Sequence, residues 1–204
     1  MPRKRLTREE AREQTRRRLL DAAALSIARK GLAATSVEDI VTQAGYTRGA
    51  FYSNFNSKSD LFVELLRLDH QNIREQLQKL LVAASTEDVR KQLTSLYAQC
   101  YRDDDHYVIW AEARLHAMRN AKFRERMNAL CLEKRDLIAS FIEQFCKRAN
   151  VQLPSSPAHH ALATIALLDG VLYFAMTMPD ELPSASAEAV LSNVFMRMFF
   201  GSLS

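Results

Sequence analysis

Residues 35–61 read Thr35-Ser36-Val37-Glu38-Asp39-Ile40-Val41-Thr42-Gln43-Ala44-Gly45-Tyr46-Thr47-Arg48-Gly49-Ala50-Phe51-Tyr52-Ser53-Asn54-Phe55-Asn56-Ser57-Lys58-Ser59-Asp60-Leu61. Thr35 and Glu38 have the spacing of a capping box, which predicts a short helix through Ile40 and Val41 to Ala44. Gly45 ends it, since glycine takes positive φ without steric cost. Thr47 is placed to cap a second short helix, Arg48 to about Phe55, and Ser57-Lys58-Ser59-Asp60 is the next cap signal. Two short helices joined by Gly45-Tyr46-Thr47 have the form of a helix-turn-helix. The second helix of that motif must be clear at its N-terminal end if its first residues are to reach base edges. Arg48-Gly49-Ala50 meets the demand, with one long cation beside small residues. A helical hairpin that serves packing alone satisfies the same turn.

Working outward, residues from about Arg8 to Lys30 form a first helix, with Leu20, Ala23, Ala24 and Ile27 on one apolar face and Gly31 as its left-handed stop. On the other side, Leu61, Leu65 and Leu68 begin a long helix from Lys58 to about Leu81. Further helices are expected near 86–101, 107–118, 121–148, 157–177 and 186–200. Pro157 suits the first turn of its helix after Ser155-Ser156, and Met178-Pro179 ends it. No segment alternates with period two. The fold class is therefore all-α with about nine helices, divided into a helix-turn-helix domain over 1–60 and a helical domain over 61–204. Five glycines and five prolines in 204 residues agree with this and exclude collagen-like or many-turned β chains.

The formal net charge is +4, and residues 1–58 hold 12 Lys/Arg against 6 Asp/Glu. A basic front on a slightly acidic body points to a polyanion partner for the front, with a solvated charged tail as the plainer reading. Cys100, Cys131 and Cys146 show no CxxC and no metal spacing, so a reducing, cytoplasmic compartment and no metal or other cofactor are expected. The N-terminus has no apolar run after its basic residues and is not a signal peptide. The apolar stretch 161–178 contains Asp169 and is short, so a buried core helix is expected there and no membrane association.

The run from Leu19-Leu20-Asp21-Ala22-Ala23 through Lys30-Gly31, Thr35-Ser36-Val37, Ala44-Gly45, Gly49-Ala50-Phe51-Tyr52 and Ser57-Lys58 resembles the N-terminal domain of the TetR family of transcriptional regulators over about residues 12–65. It departs at Asn54, where a histidine is frequent, and at Asn56, where a proline is frequent. The resemblance implies that Thr35 and Ser36 give hydroxyl or backbone hydrogen bonds to phosphate, that Tyr52 and Lys58 hold further phosphates, and that Thr47, Arg48 and Gly49 face base edges. Asn54 would lie on the DNA-facing helix. Hydroxyls and cations at helix N-termini suit phosphate, and an arginine can read guanine in a bidentate way. Phe51 and Phe55 are expected in the small domain's core. The tail Pro2-Arg3-Lys4-Arg5 reads as a localisation-like run, a solvated tail or, preferred here, an arm against the DNA backbone.

The same resemblance implies a double-stranded, near-palindromic DNA operator as partner, repression relieved by a small-molecule effector, and a homodimer formed by the last two helices. Val190, Val194 and Met198 form one ridge of the last helix, and Leu191, Phe195 and Phe199 a second, which is wider than one intramolecular face needs. Candidate effector-binding residues are polar tips on apolar helices: Tyr97, Tyr101, Trp110, Arg114, His116, Asp169 and Tyr173. Trp110 and Arg114 share a face at i, i+4. The alternatives are a TetR-like DNA-binding protein that takes no effector and works through a protein partner, and an enzyme. The second would rest on Asp103-Asp104-Asp105-His106 and His159-His160, read more simply as a solvated loop and divergent side chains. No catalytic residues are expected.

Overall fold

The structure, a computed structural model, describes residues 7–82, 104–150 and 152–200, apart from the side chains of 104, 149, 184, 195, 196 and 198–200. Among them are eight helices and no strand: α1 (Arg8–Ala34), α2 (Val37–Ala44), α3 (Arg48–Tyr52), α4 (Lys58–Leu81), α5 (Asp104–Arg119), α6 (Ala121–Ala149), α7 (Pro157–Thr177) and α8 (Ser184–Phe200). The helix expected at 86–101 lies outside the described residues, as do Tyr97, Tyr101, Cys100 and the basic tail 1–6.

The chain divides into two compact units. The first is Met1–Asp69 with Val108–Met127, and the second is His70–Tyr107 with Asn128–Ser204. The helix-turn-helix therefore shares its unit with much of α5 and the start of α6, segments separated from it by dozens of residues. No periodicity announces that association.

In the first unit, Leu19, Leu20, Ala23 and Ile27 of α1, Ile40 and Val41 of α2 and Phe51 of α3 are all buried, with α1 packed on α2 and α2 on α3. Phe55 is also buried, its ring 5.7 Å from that of Phe51. Phe62 of α4 stacks on Phe123 of α6 at 5.5 Å, which closes the unit on the side of the later helices. Burying each such aromatic fully is worth about 1.5–3 kcal/mol.

Two turns in this unit depend on glycine. Gly45 caps α2 in the left-handed conformation (φ 72°, ψ 34°), and its N–H and that of Tyr46 return to the carbonyls of Thr42 and Val41. Gly31 interrupts α1 at φ 80°, ψ 162°. That is positive φ as expected, but with extended ψ, a region essentially closed to side chains. The register of the next cap also differs from expectation. Ser36 and Asp39 form the α2 capping box, instead of Thr35 and Glu38. The reason is local: the Thr35 hydroxyl donates back to the Gly31 carbonyl at 2.9 Å, so the next hydroxyl takes the cap.

In the second unit, Leu77 and Leu80 of α4, Phe141, Ile142, Phe145 and Cys146 of α6, Ala161 and Val171 of α7, and Ala187 and Leu191 of α8 form one core. Ser156 caps α7 with Pro157 in its first turn, as the sequence predicts. The expectation that α7 is a buried helix is only partly met. His160, Ala161, Thr164, Val171 and Leu172 are buried, whereas Leu162, Tyr173 and Phe174 are exposed. α7 is long and apolar enough to cross a membrane by length and composition alone, with 28% of that window buried. A helix apolar all round has more greasy surface than one side of a core can cover.

Candidate nucleic-acid interface

Thr47 accepts the Ala50 N–H at 3.3 Å and so starts α3, leaving Thr47, Arg48 and Gly49 exposed at its head. Arg48 reaches toward Glu38 of α2 at 3.9 Å, and its guanidinium carbon lies 5.9 Å from the ring centre of Tyr52. Both contacts are between exposed groups, so they restrain the arginine without committing it. Tyr52 is 51% exposed, its ring set edge-on to Phe51. Gly49 has room for a methyl group: a Cβ there would meet only Thr47 Oγ1 at 3.7 Å. The fold itself does not require glycine at that position.

Ser36 is exposed at the head of α2, but its own donors are engaged. Its N–H and hydroxyl donate to Asp39 Oδ2 at 2.7 and 2.6 Å, while its oxygen accepts the Asp39 N–H at 3.1 Å. Lys30 holds the same carboxylate at 2.8 Å. The Lys30 ammonium and the Ser36 donors keep the Asp39 carboxyl well below the usual carboxylate range. A carboxylate thus already neutralises the positive end of α2.

Three of the expected DNA-facing residues are turned inward. Thr35 is buried; its hydroxyl and its N–H both go to the Gly31 carbonyl, and Ser26 Oγ lies 3.2 Å from its oxygen. Neither donor is available for phosphate in this structure. Lys58 donates to the carbonyls of Leu32 and Thr35, both at 2.6 Å, instead of pointing out from the start of α4. Burial pushes its ammonium down from the ordinary lysine value, with Asp39 opposing. Asn54 folds back, its amide donating to the Ala50 carbonyl at 2.8 Å, while Oδ1 is buried without a hydrogen-bond partner.

Sequence reasoning missed the residues that hold these helices in place. Arg16 of α1 donates to the Asn54 carbonyl at 3.3 Å and to Glu64 at 2.8 Å, and its guanidinium lies over the Phe55 ring at 4.6 Å. It pins the end of α3 from partners 38 and 48 residues away, and no local pattern carries that. Glu112 of α5 accepts the Leu32 N–H at 2.9 Å across 80 residues.

The candidate effector residues are not gathered in one unit. Trp110, Arg114 and His116 lie on α5 within the first unit. Trp110 is buried and its indole N–H donates to Asp69 at 2.9 Å. Arg114 is half-buried. His116 sits edge-on to Phe123 at 4.7 Å, with Nε2 buried and unpartnered. Burial and the neighbouring Lys58 push its imidazole below the ordinary value, with Glu112 opposing. Asp169 and Tyr173 lie on α7 in the second unit, Tyr173 half-exposed against Phe174. That unit buries polar atoms the sequence did not single out, Thr164 Oγ1 among them. Its one available signal is a hydroxyl three residues after Ala161 on an otherwise apolar face. His159 is exposed and His160 buried, Nδ1 lying 3.0 Å from Ser155 Oγ. Among the described residues no three His, Cys, Asp or Glu side chains gather as a metal site.

The family model for bacterial regulatory proteins of the tetR family matches residues 19–65, and that for the BetI-type transcriptional repressor C-terminal region matches 86–199. The chain belongs to the tetR family of bacterial regulatory proteins and carries a C-terminal region of the BetI type. The family signal thus extends well beyond the stretch that carries the resemblance in the sequence. The chain is 45% identical over 71 residues to the HTH-type transcriptional regulator AcrR of Shigella flexneri, covering 35% of this chain and 33% of that protein. It is 27% identical over 187 residues to the HTH-type transcriptional regulator TtgR of Pseudomonas putida, covering 87% of each. The structure of the regulator FadR from Bacillus subtilis, in complex with stearoyl-CoA, superposes with a TM-score of 0.73 at 17% identity, over 91% of this chain and 98% of that one. At that identity the likeness is one of fold.

Proposed function

We propose that the protein is a transcriptional repressor that binds a near-palindromic double-stranded operator as a homodimer and is released by a small-molecule effector. The observation that carries the reading is the head of α3. Thr47, Arg48 and Gly49 are exposed together, and the fold has no structural use for the small residue beside the cation in the first turn of α3. Residues 1–60 serve as the DNA-binding domain. Tyr52 meets phosphate, Thr47, Arg48 and Gly49 meet base edges, and Ser36 serves by capping α2. Thr35, Asn54 and Lys58 contribute by holding the turns from inside.

Residues 61–204 serve as the sensing and dimerising domain. The exposed apolar positions of α7 and α8, Leu162, Tyr173, Phe174 and Val190, support a four-helix contact between two copies. Two α3 helices about 34–36 Å apart would then reach successive major-groove faces. The effector acts by preferring a conformation in which that spacing is wrong; a coupling of about 1–3 kcal/mol changes operator affinity roughly 5–150-fold. α4 gives its first part to one unit and its second to the other, which suits it as the lever. The protein works without a cofactor, in the cytoplasm.

The test is to map genomic sites bound by the protein and then to measure Arg48→Ala on the strongest of them. Substitution should cost about 1–3 kcal/mol and flatten the preference at one base pair of each half-site. An unchanged base preference would remove Arg48 from its role, and absence of any bound site would overturn the DNA-binding reading. Neighbouring genes would indicate the effector's class.

A further inference from the structure

We propose that Glu112 is a positioning residue for DNA recognition: from α5 it clamps the α1–α2 turn and so sets the pose in which α2 and α3 meet the duplex. The proposal rests on the DNA-binding reading above and deepens it. Gly31 breaks α1 at positive φ, and the turn's own ties are the Thr35 N–H and hydroxyl on the Gly31 carbonyl. Glu112 Oε2 accepts the Leu32 N–H at 2.9 Å. Its carboxylate also lies 3.2–3.3 Å from the place a Cβ on Gly31 would occupy. From α4, Lys58 donates to the carbonyls of Leu32 and Thr35 at 2.6 Å. Leu32 is thus held by its N–H and its carbonyl, from two different helices. Four residues further along the chain Ser36 caps α2.

The carboxylate belongs to a helix inside the region that matches the C-terminal family model, yet it acts in the same compact unit as the helix-turn-helix. The remaining polar features of the turn are already accounted for: Thr35 is buried on Gly31 and Asp39 is held by Lys30 and Ser36. Glu112 is the member of the set that α5 carries, so a displacement of α5 acts on the turn through the Leu32 amide. When the clamp is open, α2 and α3 meet the duplex in a shifted pose that reaches fewer phosphates, and affinity falls with the lost contacts.

The experiment uses the full chain and a duplex oligonucleotide taken from its strongest mapped genomic site. E112M keeps the length of the side chain without an acceptor, and E112Q keeps an acceptor without the charge. At a temperature where circular dichroism shows both folded, E112M should bind about tenfold more weakly, the scale of one missing charge-assisted hydrogen bond, while E112Q stays within about threefold. The slope of log affinity against log salt should flatten in E112M by about 0.9 for each phosphate that the mis-set helices no longer reach, and stay unchanged in E112Q. A residue that only adds stability would lower the melting temperature and leave affinity and slope alone. If E112M does not fold, E112D serves, because its shorter reach must still weaken binding. Wild-type binding with E112M or E112D unchanged overturns the assignment of Glu112. Absence of wild-type binding to any site overturns the DNA-binding reading instead.

Discussion

At the scale of single residues, the informative positions are those whose identity the fold does not explain. Gly49 has ordinary φ and space for a methyl group, so Gly49→Ala should raise helix stability by up to about 1 kcal/mol. The same methyl stands where a duplex would come close, and operator affinity should fall. Chemical denaturation and a binding titration on one preparation check both halves; unchanged affinity would mean that the head of α3 stays clear of the bases. His116 shows the reverse case, a titratable group that the fold holds neutral. Its imidazole is pushed below the unfolded value of about 6.5, so the unfolded chain takes up the proton first. Its contribution is fully present above that pH and is lost as pH falls toward the folded value. The urea midpoint should decline more steeply with acid in the wild type than in His116→Gln below pH about 6.5. Equal slopes would show that burial and Lys58 do not disfavour the charged form.

At the scale of elements, the turns decide how the helices are presented. α1 through α4 were legible from apolar spacing, caps and Gly45, because these signals act within a few residues of one another. The cap of α2 moved from Thr35 to Ser36 because the Thr35 hydroxyl is turned inward onto the Gly31 carbonyl and Ser26, which leaves Ser36 Oγ to accept the Asp39 N–H. Spacing alone does not weigh such a competition. Gly31 should tolerate substitution poorly, since its φ and ψ lie in a region essentially reserved for glycine. Gly31→Ala should cost about 1–3 kcal/mol in chemical denaturation. The approach of the Glu112 carboxylate adds little to that, because the tip of a flexible side chain can withdraw. A cost below a few tenths of a kcal/mol would mean the turn relaxes to an ordinary conformation.

At the scale of the whole molecule, the question is what covers α7. Leu162 is 58% exposed, and Tyr173 and Phe174 are 51% exposed each, on a helix that also helps build a core. If two copies meet there, Phe174→Arg should convert a dimer to a monomer in sedimentation while leaving the helical content intact. Binding to a palindromic duplex should fall far more than binding to a single half-site, because the second contact is no longer intramolecular. A variant that stays dimeric would place the interface elsewhere.

Sequence alone determined the helical class, the position of the helix-turn-helix and the residues at the head of α3, since each depends on periods and caps spanning under ten residues. Tertiary structure decided which of the expected DNA contacts face outward. Thr35, Asn54 and Lys58 carry donors suited to DNA, but part-buried carbonyls left by the broken end of α1 and the short α3 take those donors instead. It also decided that α5 joins the N-terminal unit, through Glu112 and Trp110 to Leu32 and Asp69. Those pairings join residues 80 and 41 positions apart, and only the folded chain brings them within hydrogen-bond reach.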